Sequence, residues 1–141
     1  MFVLDTDVLT LIDQHGAGRS QRLITRLEET DPNLLAATII SYEEQTRGWM
    51  SYLAKARSQT EQLKAYARLE RHLNSWKQMS VLGFDDESAE IADVLRRRHR
   101  RLGIMDLRIA AIVIANRATL ITANVRDFAM IDDLRVEDWT S

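Results

Sequence analysis

The apolar residues of this chain follow two spacings, one typical of short buried strands and the other typical of helices. Compact β-prone runs predict strands at residues 2–5, 34–37, 80–83 and 118–122, and residues 134–136 predict a last edge strand. Between these runs, apolar residues recur every three or four positions, which predicts helices. Strands that alternate with helices predict an α/β fold, and we expect a three-layer α/β/α sandwich around a short, mainly parallel central sheet.

The predicted helices differ in how much of their surface is apolar. One helix follows the first strand, with Asp5 or Thr6 as its N-cap, and the segment 15–18 (HGAG) is predicted to end it. Further helices are predicted at residues 19–29, from Ser41 as a cap towards Leu53, at residues 58–76, from Asp85 into a run of arginines, and at residues 105–117. The last of these is apolar almost throughout after Asp106, so we expect a fully buried helix.

Composition restricts the class of protein further. The chain has 141 residues, of which 45% are hydrophobic and 28% are charged, so we expect a single domain over residues 1–141 with a real core. No apolar run is long enough to cross a bilayer, and no signal peptide is recognised. The absence of cysteine excludes disulfides and thiolate metal sites and fits a reducing cytosol. We therefore expect a cytoplasmic protein that is not bound to a membrane.

The basic residues are concentrated in one block, although the net charge is only −2. The block occupies residues 96–101 (RRRHRR), at the predicted end of a helix. One interpretation is a solvated helix C-terminus, where cations are favourable. The other is a surface that contacts the phosphates of a ligand. The candidate phosphate-binding residues are Arg96, Arg97, Arg98, Arg100 and Arg101.

Acidic and amide residues follow the predicted strands. Asp5 ends the first strand, Glu44 lies in the helix after the second, Asp106 begins the buried helix, and Asn124 or Asp127 follows the fourth strand. Ligands of parallel sheets bind outside the carboxyl ends of the strands. Carboxylates crowded there repel one another, and a hard cation such as Mg²⁺ removes that repulsion. The bound ion can activate water for attack on a phosphodiester.

Each of these acids also has an ordinary structural explanation. Asp5 and Asp106 are suitable helix caps, and Glu44 is suitable as a solvated helical residue. We interpret Asp7 as a local helix-start residue. No single spacing among these residues is specific for a metal site.

Four segments together resemble the PIN domain family, and within it the VapC-type toxins of prokaryotic toxin–antitoxin systems. They are residues 4–9 (LDTDVL, similar to LDTxVL), 44–48 (EQTRG, similar to E-x-x-x-G), 106–111 (DLRIAA, similar to D-x-x-I-A-A), and 118–128 (ATLITANVRDF, similar to ATLVTxN/D…F). The segments occur in the family's order and reach both ends of the chain. The resemblance implies an endoribonuclease that depends on Mg²⁺, for which Mn²⁺ substitutes.

The resemblance also implies roles for individual residues. Asp5 and Asp106 would bind the metal, and Glu44 would bind it directly or through water. Metal-activated water would then hydrolyse the phosphodiester bond without a catalytic histidine. The hydroxyls of Thr6 and Thr122 would orient the ligands.

The chain departs from the family pattern at two places. Asn124 is an amide where many members have aspartate. Either the Asn124 oxygen or Asp127 completes the site, or this corner binds metal only when RNA supplies phosphates. Arg117, next to Asn116, stands at a helix end where glycine is common. One of these two residues must therefore adopt a left-handed or irregular conformation.

The partners implied by the resemblance are an RNA substrate, a VapB-like antitoxin and a second copy of the chain in a homodimer. The antitoxin would occupy a groove near the site, which the helices at residues 19–29, 39–53 and 58–77 could form. Trp49, Met50 and Tyr52 are candidate contacts, with core packing as the alternative explanation.

Two other functions remain open at this point. A haloacid-dehalogenase-like phosphatase would also place D-x-D after its first strand and would use Asp5 as the nucleophile. The chain is short for that fold and lacks a convincing lysine motif. A catalytically decayed PIN-like binding module is favoured only by Asn124. The sequence does not identify the RNA target or the number of metal ions.

Overall fold

The computed structural model describes residues 1–13 and 18–141, so most of the predicted break at residues 15–18 lies outside the described residues. The strands are β1 (Phe2–Leu4), β2 (Leu35–Thr38), β3 (Val81–Leu82), β4 (Thr119–Ile121) and β5 (Arg135–Glu137). The helices are α1 (Thr6–Asp13), α2 (Gly18–Glu28), α3 (Ile39–Ala54), α4 (Gln59–Lys77), α5 (Asp86–Arg98), α6 (Ile104–Ala115) and α7 (Val125–Phe128).

The strands of the described residues form one five-stranded sheet in the order β3-β2-β1-β4-β5. Every pair in it is parallel, which confirms the α/β class and makes the sheet wholly parallel. The chain moves from β1 towards β2 and β3 on one side, and later places β4 on the other side of β1. The carboxyl ends of β1 and β4 therefore meet at the topological switch point, where ligands of such sheets bind.

The two faces of the sheet carry separate cores, which confirms the three-layer sandwich. Val3 and Leu120 point into a core built with α5, α6 and α7. Leu4 and Ile121, one position further along the same strands, point into a core built with α1, α2 and the Trp76 side chain of α4. Because successive side chains of a strand alternate between faces, a buried strand of a parallel sheet must be apolar at nearly every position.

Helix α6 is the buried helix that the sequence predicts, with six of its side chains buried. It ends at Ala115, and two residues later Arg117 has a φ of 54°, in the left-handed region. The prediction that Asn116 or Arg117 leaves the helical conformation is therefore confirmed, at Arg117. A left-handed conformation is costly for a residue with a Cβ atom.

Two local predictions differ from the structure. Thr38, and not Ser41, is the N-cap of α3, because the Thr38 hydroxyl accepts the Ser41 N–H at 3.1 Å. Gly103, and not Asp106, is the N-cap of α6. The side chains of Ser41 and Asp106 are therefore available for contacts other than capping.

In the described part of the chain, no helix combines the length and the apolar character that crossing a membrane requires.

Candidate active site at the carboxyl edge of the sheet

Asp5 is fixed at the point where β1 and β4 end. Its N–H donates to the Ile121 carbonyl at 2.9 Å, which extends the pairing of the two strands by one residue. Both carboxylate oxygens accept hydrogen bonds at 2.8 Å, Oδ1 from the Thr6 N–H and Oδ2 from the Thr122 hydroxyl. The side chain is only 5% exposed. Asp5 is therefore oriented by the fold and removed from bulk water.

The environment of Asp5 opposes its negative charge. Burial, together with repulsion from Asp7 and to a smaller degree Asp106, raises the pKa of Asp5 from 3.8 to about 7, while the hydrogen bonds from Thr122 and Thr6 act in the opposite direction. A buried carboxylate that repels neighbouring acids is stabilised by a nearby cation. A positive charge bound at the site would therefore favour the ionised form of Asp5.

Thr6 connects Asp5 to Glu44. Its hydroxyl donates to Glu44 Oε1 at 2.8 Å and also contacts the Ser41 hydroxyl at 2.8 Å. Ser41 is fully buried. The backbone of Thr6 thus orients one predicted ligand and its side chain orients another. Sequence reasoning missed Ser41, for which the only signal is its position three residues before Glu44, on the same face of α3.

Asp106 faces the same group of acids from the first turn of α6. Burial raises its pKa, and repulsion from Glu44, Asp127 and Asp7 raises it further. The side chains of Asp5, Glu44 and Asp106 are therefore close enough to interact, although 101 positions separate the first from the last. The structure brings together the three acids that were predicted from separate segments.

Asp5, Glu44 and Asp106 form what we call the acidic cluster, and Asn124 and Asp127 lie at its exposed rim. The Asn124 N–H donates to the Thr122 hydroxyl at 3.0 Å, so Thr122 contacts both Asp5 and the start of α7. Within the described structure, the Asn124 side chain makes no capping hydrogen bond to α7. Asp127 is close enough to the cluster for its negative charge to repel Asp106 and raise the pKa of that residue.

Asp7 is placed differently from a simple helix-start residue. It lies in the first turn of α1, but its Oδ1 atom is buried and has no hydrogen-bond partner among the described residues. Its charge acts on both Asp5 and Asp106. The D-x-D spacing of Asp5 and Asp7 was the sequence signal that could have placed Asp7 in the site. Interpreting Asp7 as a local helix-start residue excluded it from the candidate ligands.

The residues of the cluster suit a hard divalent cation. In the described chain, no three acidic or histidine side chains already stand where they could bind one ion together. Mg²⁺ does not require such a cage, because it keeps several waters and usually takes one or two protein carboxylates plus substrate phosphates. The donors available are all oxygens, from Asp5, Asp7, Glu44 and Asp106, and the unpartnered Asp7 oxygen is suited to a cation.

The arginine block begins in the last turn of α5 and continues into the connection to α6. All five arginines are exposed. Arg96, Arg97 and Arg100 border a shallow cavity of about 470 Å³ together with Ile104 and Leu107. The block therefore lies beside the beginning of α6, the helix that carries Asp106.

A larger cleft of about 490 Å³ lies between α1, α3 and α4, and we call it the α3–α4 cleft. Its lining residues are Thr10, Asp13, Gln45, Gly48, Trp49, Tyr52, Arg68, Arg71, His72 and Ser75. Of the three predicted contacts, Trp49 and Tyr52 line it, whereas Met50 is exposed outside it. The predicted helix 19–29 contributes none of its described side chains to this lining.

The buried His72 belongs to the α3–α4 cleft and not to the acidic cluster. Its Nε2 lies 2.8 Å from the Thr46 hydroxyl, and its ring stacks on Tyr42 at 5.5 Å between centroids. Burial lowers its pKa. These contacts assign a packing role to His72.

Comparisons with known proteins agree with this architecture. The chain is 26% identical over 145 residues to Ribonuclease VapC1 of Haemophilus influenzae strain R2866, with 99% of this chain and 98% of that protein covered. It superposes on VapBC-1 from nontypeable Haemophilus influenzae with a TM-score of 0.77 at 23% identity, covering 99% and 98% of the two chains. A toxin–antitoxin complex from Klebsiella pneumoniae gives a TM-score of 0.70 at 23% identity, with 99% and 98% covered. The sequence profile of the PIN domain matches residues 2–134, and the chain therefore belongs to the PIN domain family.

Proposed function

We propose that this chain is a metal-dependent endoribonuclease of the VapC type, the toxin of a toxin–antitoxin pair. The observation that carries the proposal is the buried Asp5, oriented by Thr6 and Thr122 at the switch point and surrounded by further acids. A relative that matches this chain over nearly its whole length bears the name ribonuclease, which supports the same activity.

Some residues of the site bind the cation, and others orient the carboxylates that bind it. Asp5, Asp106 and Glu44 hold the cation, with Glu44 acting directly or through a water. Thr122 and the Thr6 N–H fix the Asp5 carboxylate, and the Thr6 hydroxyl fixes Glu44. Oriented partners of this kind usually matter for metal affinity almost as much as the ligands themselves.

The cation in this proposal is Mg²⁺, with Mn²⁺ as a substitute. When bound, such an ion lowers the pKa of a coordinated water and stabilises the charge that develops on a scissile phosphate. The chain's own part is to hold the carboxylates of Asp5, Glu44 and Asp106 close together, with Asp5 buried and the other two partly exposed. It also leaves Asn124 and Asp127 at the open rim, where an RNA phosphate enters.

The exposed arginines of the block at residues 96–101 are proposed to contact the RNA backbone. They lie beside the start of α6, so a strand whose scissile phosphate reaches Asp106 extends across them. Phosphate contacts of this kind position a nucleic acid without reading its sequence. Replacing Arg97 and Arg100 together by glutamine is therefore expected to weaken RNA binding and to reduce its dependence on salt.

The α3–α4 cleft is the proposed site for a segment of a VapB-like antitoxin. It offers the Trp49 and Tyr52 rings, with Arg68 5.7 Å from the Trp49 ring centroid. It is lined by residues of α1 and α3, so a segment bound there contacts α3, the helix that carries Glu44. Structures of similar chains that are toxin–antitoxin complexes support such a partner. We also propose that the chain acts in the cytosol as a homodimer.

The other two functions receive less support. No observation in the structure favours a phosphatase that uses Asp5 as a nucleophile, and the family match is to the PIN domain. A decayed binding module is opposed by the proximity of Asp5, Glu44 and Asp106.

Cleavage of total cellular RNA by the purified chain tests the proposal. The assay is run with Mg²⁺, with Mn²⁺ and with EDTA, beside the Asp5→Asn variant. Discrete products that require both the metal and Asp5 support a metal-dependent endoribonuclease. Cleavage that persists in EDTA, or in Asp5→Asn at the wild-type rate, would contradict the assignment of the site. Hydrolysis of a small phosphomonoester in place of RNA would favour the phosphatase.

A further inference from the structure

Asp7 occupies a position that is difficult to explain by local structure alone. An aspartate in the first turn of a helix usually faces solvent or accepts a backbone N–H. Asp7 is only partly exposed, and its Oδ1 is buried without a hydrogen-bond partner in the described residues. Leaving a buried acceptor unsatisfied destabilises a fold, and the cost is larger for a charged group. A role at the helix start does not require that arrangement.

The negative charge of Asp7 acts on two residues of the acidic cluster, Asp5 and Asp106. Among its neighbouring charges, Asp5 is affected by Asp7 more than by Asp106, and Asp106 is also affected by Asp7. Only Thr6 separates Asp7 from Asp5 along the chain, and the Thr6 side chain is already engaged with Glu44 and Ser41. Asp7, whose buried Oδ1 has no hydrogen-bond partner among the described residues, is thus close enough to two of the proposed ligands to repel them.

The number of negative charges at the site suggests what Asp7 contributes there. Asn124 supplies a neutral amide at a corner where a further carboxylate would add negative charge. Asp127 is exposed at the rim. The affinity of an oxygen site for a divalent cation depends on the number of charged ligands. Asp7, next but one to Asp5 in the chain, therefore adds negative charge that the neutral Asn124 does not supply.

We propose that Asp7 is a further metal-site carboxylate of this chain, which binds Mg²⁺ or Mn²⁺ with Asp5, directly or through water, and supplies the charge that Asn124 does not. The proposal rests on the metal-dependent function proposed above.

The test compares Mn²⁺ binding and thermal unfolding of the full chain with those of Asp7→Asn. We expect the dissociation constant for Mn²⁺, measured by calorimetry, to rise about tenfold. In the absence of metal, the variant should melt at a higher temperature than the wild type, because an uncompensated charge has been removed. Both readouts are independent of ribonuclease activity.

Two further variants make the result specific. Glu87→Gln removes the acid at the equivalent second position of α5 and should leave Mn²⁺ binding unchanged. Asp7→Asn combined with Asn124→Asp should recover most of the lost affinity, because the charge returns at another corner. Unchanged Mn²⁺ binding in Asp7→Asn, with binding lost in Asp5→Asn, would overturn the inference and leave the proposed function intact. A wild-type chain that binds no Mn²⁺ would overturn both.

Discussion

Helices α1 and α5 are each preceded by an aspartate, and the two aspartates have different roles. Asp5 follows β1 and Asp85 follows β3, and each immediately precedes a helix. Asp85 is exposed, and its Oδ1 accepts both the N–H and the hydroxyl of Ser88, at 2.9 and 2.8 Å. These hydrogen bonds lower the pKa of Asp85, whereas burial raises the pKa of Asp5 to about 7.

The difference lies in what surrounds the two carboxylates. Asp85 has donors and water around it, so its negative charge is favourable and the helix start is stabilised. Asp5 also has two donors, but burial and neighbouring acids outweigh them. An aspartate that stabilises its helix is a structural cap, and one whose charge is opposed by the fold is a candidate functional group.

The largest contrast is expected in catalysis. Asp5→Asn should reduce RNA cleavage by a factor on the order of 10³, because a metal ligand worth several kcal/mol to the transition state is removed. The Asp85→Ala variant should cleave RNA at the wild-type rate. Rates with Mg²⁺ on the same RNA measure both, and equal losses in the two variants would remove the distinction between them.

The hydroxyl partners of the two aspartates provide a second contrast. Thr122→Val removes the donor to Asp5 Oδ2 and should lower cleavage about tenfold, since orienting partners typically affect metal sites by 10- to 100-fold. Ser88→Ala removes the hydroxyl donor to Asp85 and should leave cleavage unchanged. If Thr122→Val cleaves normally while Mn²⁺ binding is also normal, the orienting role of Thr122 is wrong.

The effect of pH on stability should have opposite signs at the two positions. The pKa of Asp5 is raised from 3.8 to about 7, so the folded metal-free protein binds more protons than the unfolded chain between these values. Its contribution to stability is complete below pH 4 and is lost as the pH rises through about 7. Melting curves between pH 4 and 8 in EDTA should show a weaker decline for Asp5→Asn than for the wild type. Parallel curves for the two proteins would contradict the raised pKa.

The smallest effect concerns Asp85. Its pKa is lowered, so its contribution to stability is present above its ordinary pKa and is lost as the pH falls through the folded value. Asp85→Ala should therefore lower the melting temperature slightly at pH 7, and the difference should disappear in acid. Melting curves at both pH values measure it, and a difference that grows in acid would argue against the cap.

Sequence patterns located most elements and the main acids of the site. Helix α6 was predictable because its residues are apolar on every face, and the strands were predictable because buried parallel strands are apolar at nearly every position. The same patterns misassigned the cap of α3, since Thr38 and Ser41 are both good capping residues and only the backbone path decides between them. The α3–α4 cleft was placed on suitable helices, but which of Trp49, Met50 and Tyr52 faces it depends on packing.

The sequence by itself determined the α/β class, the order of the elements, and the presence of Asp5, Glu44 and Asp106 in segments of PIN type. These properties follow from local periodicity and residue type, which the chain carries without reference to distant contacts. Only the tertiary structure decided that Asp5 is buried while Asp85 is not, that Thr6 joins Asp5 to Glu44, and that an Asp7 oxygen finds no hydrogen-bond partner among the described residues. Burial, repulsion and unsatisfied hydrogen bonding depend on residues far apart in sequence, so they arise only when the sheet brings β1 and β4 together.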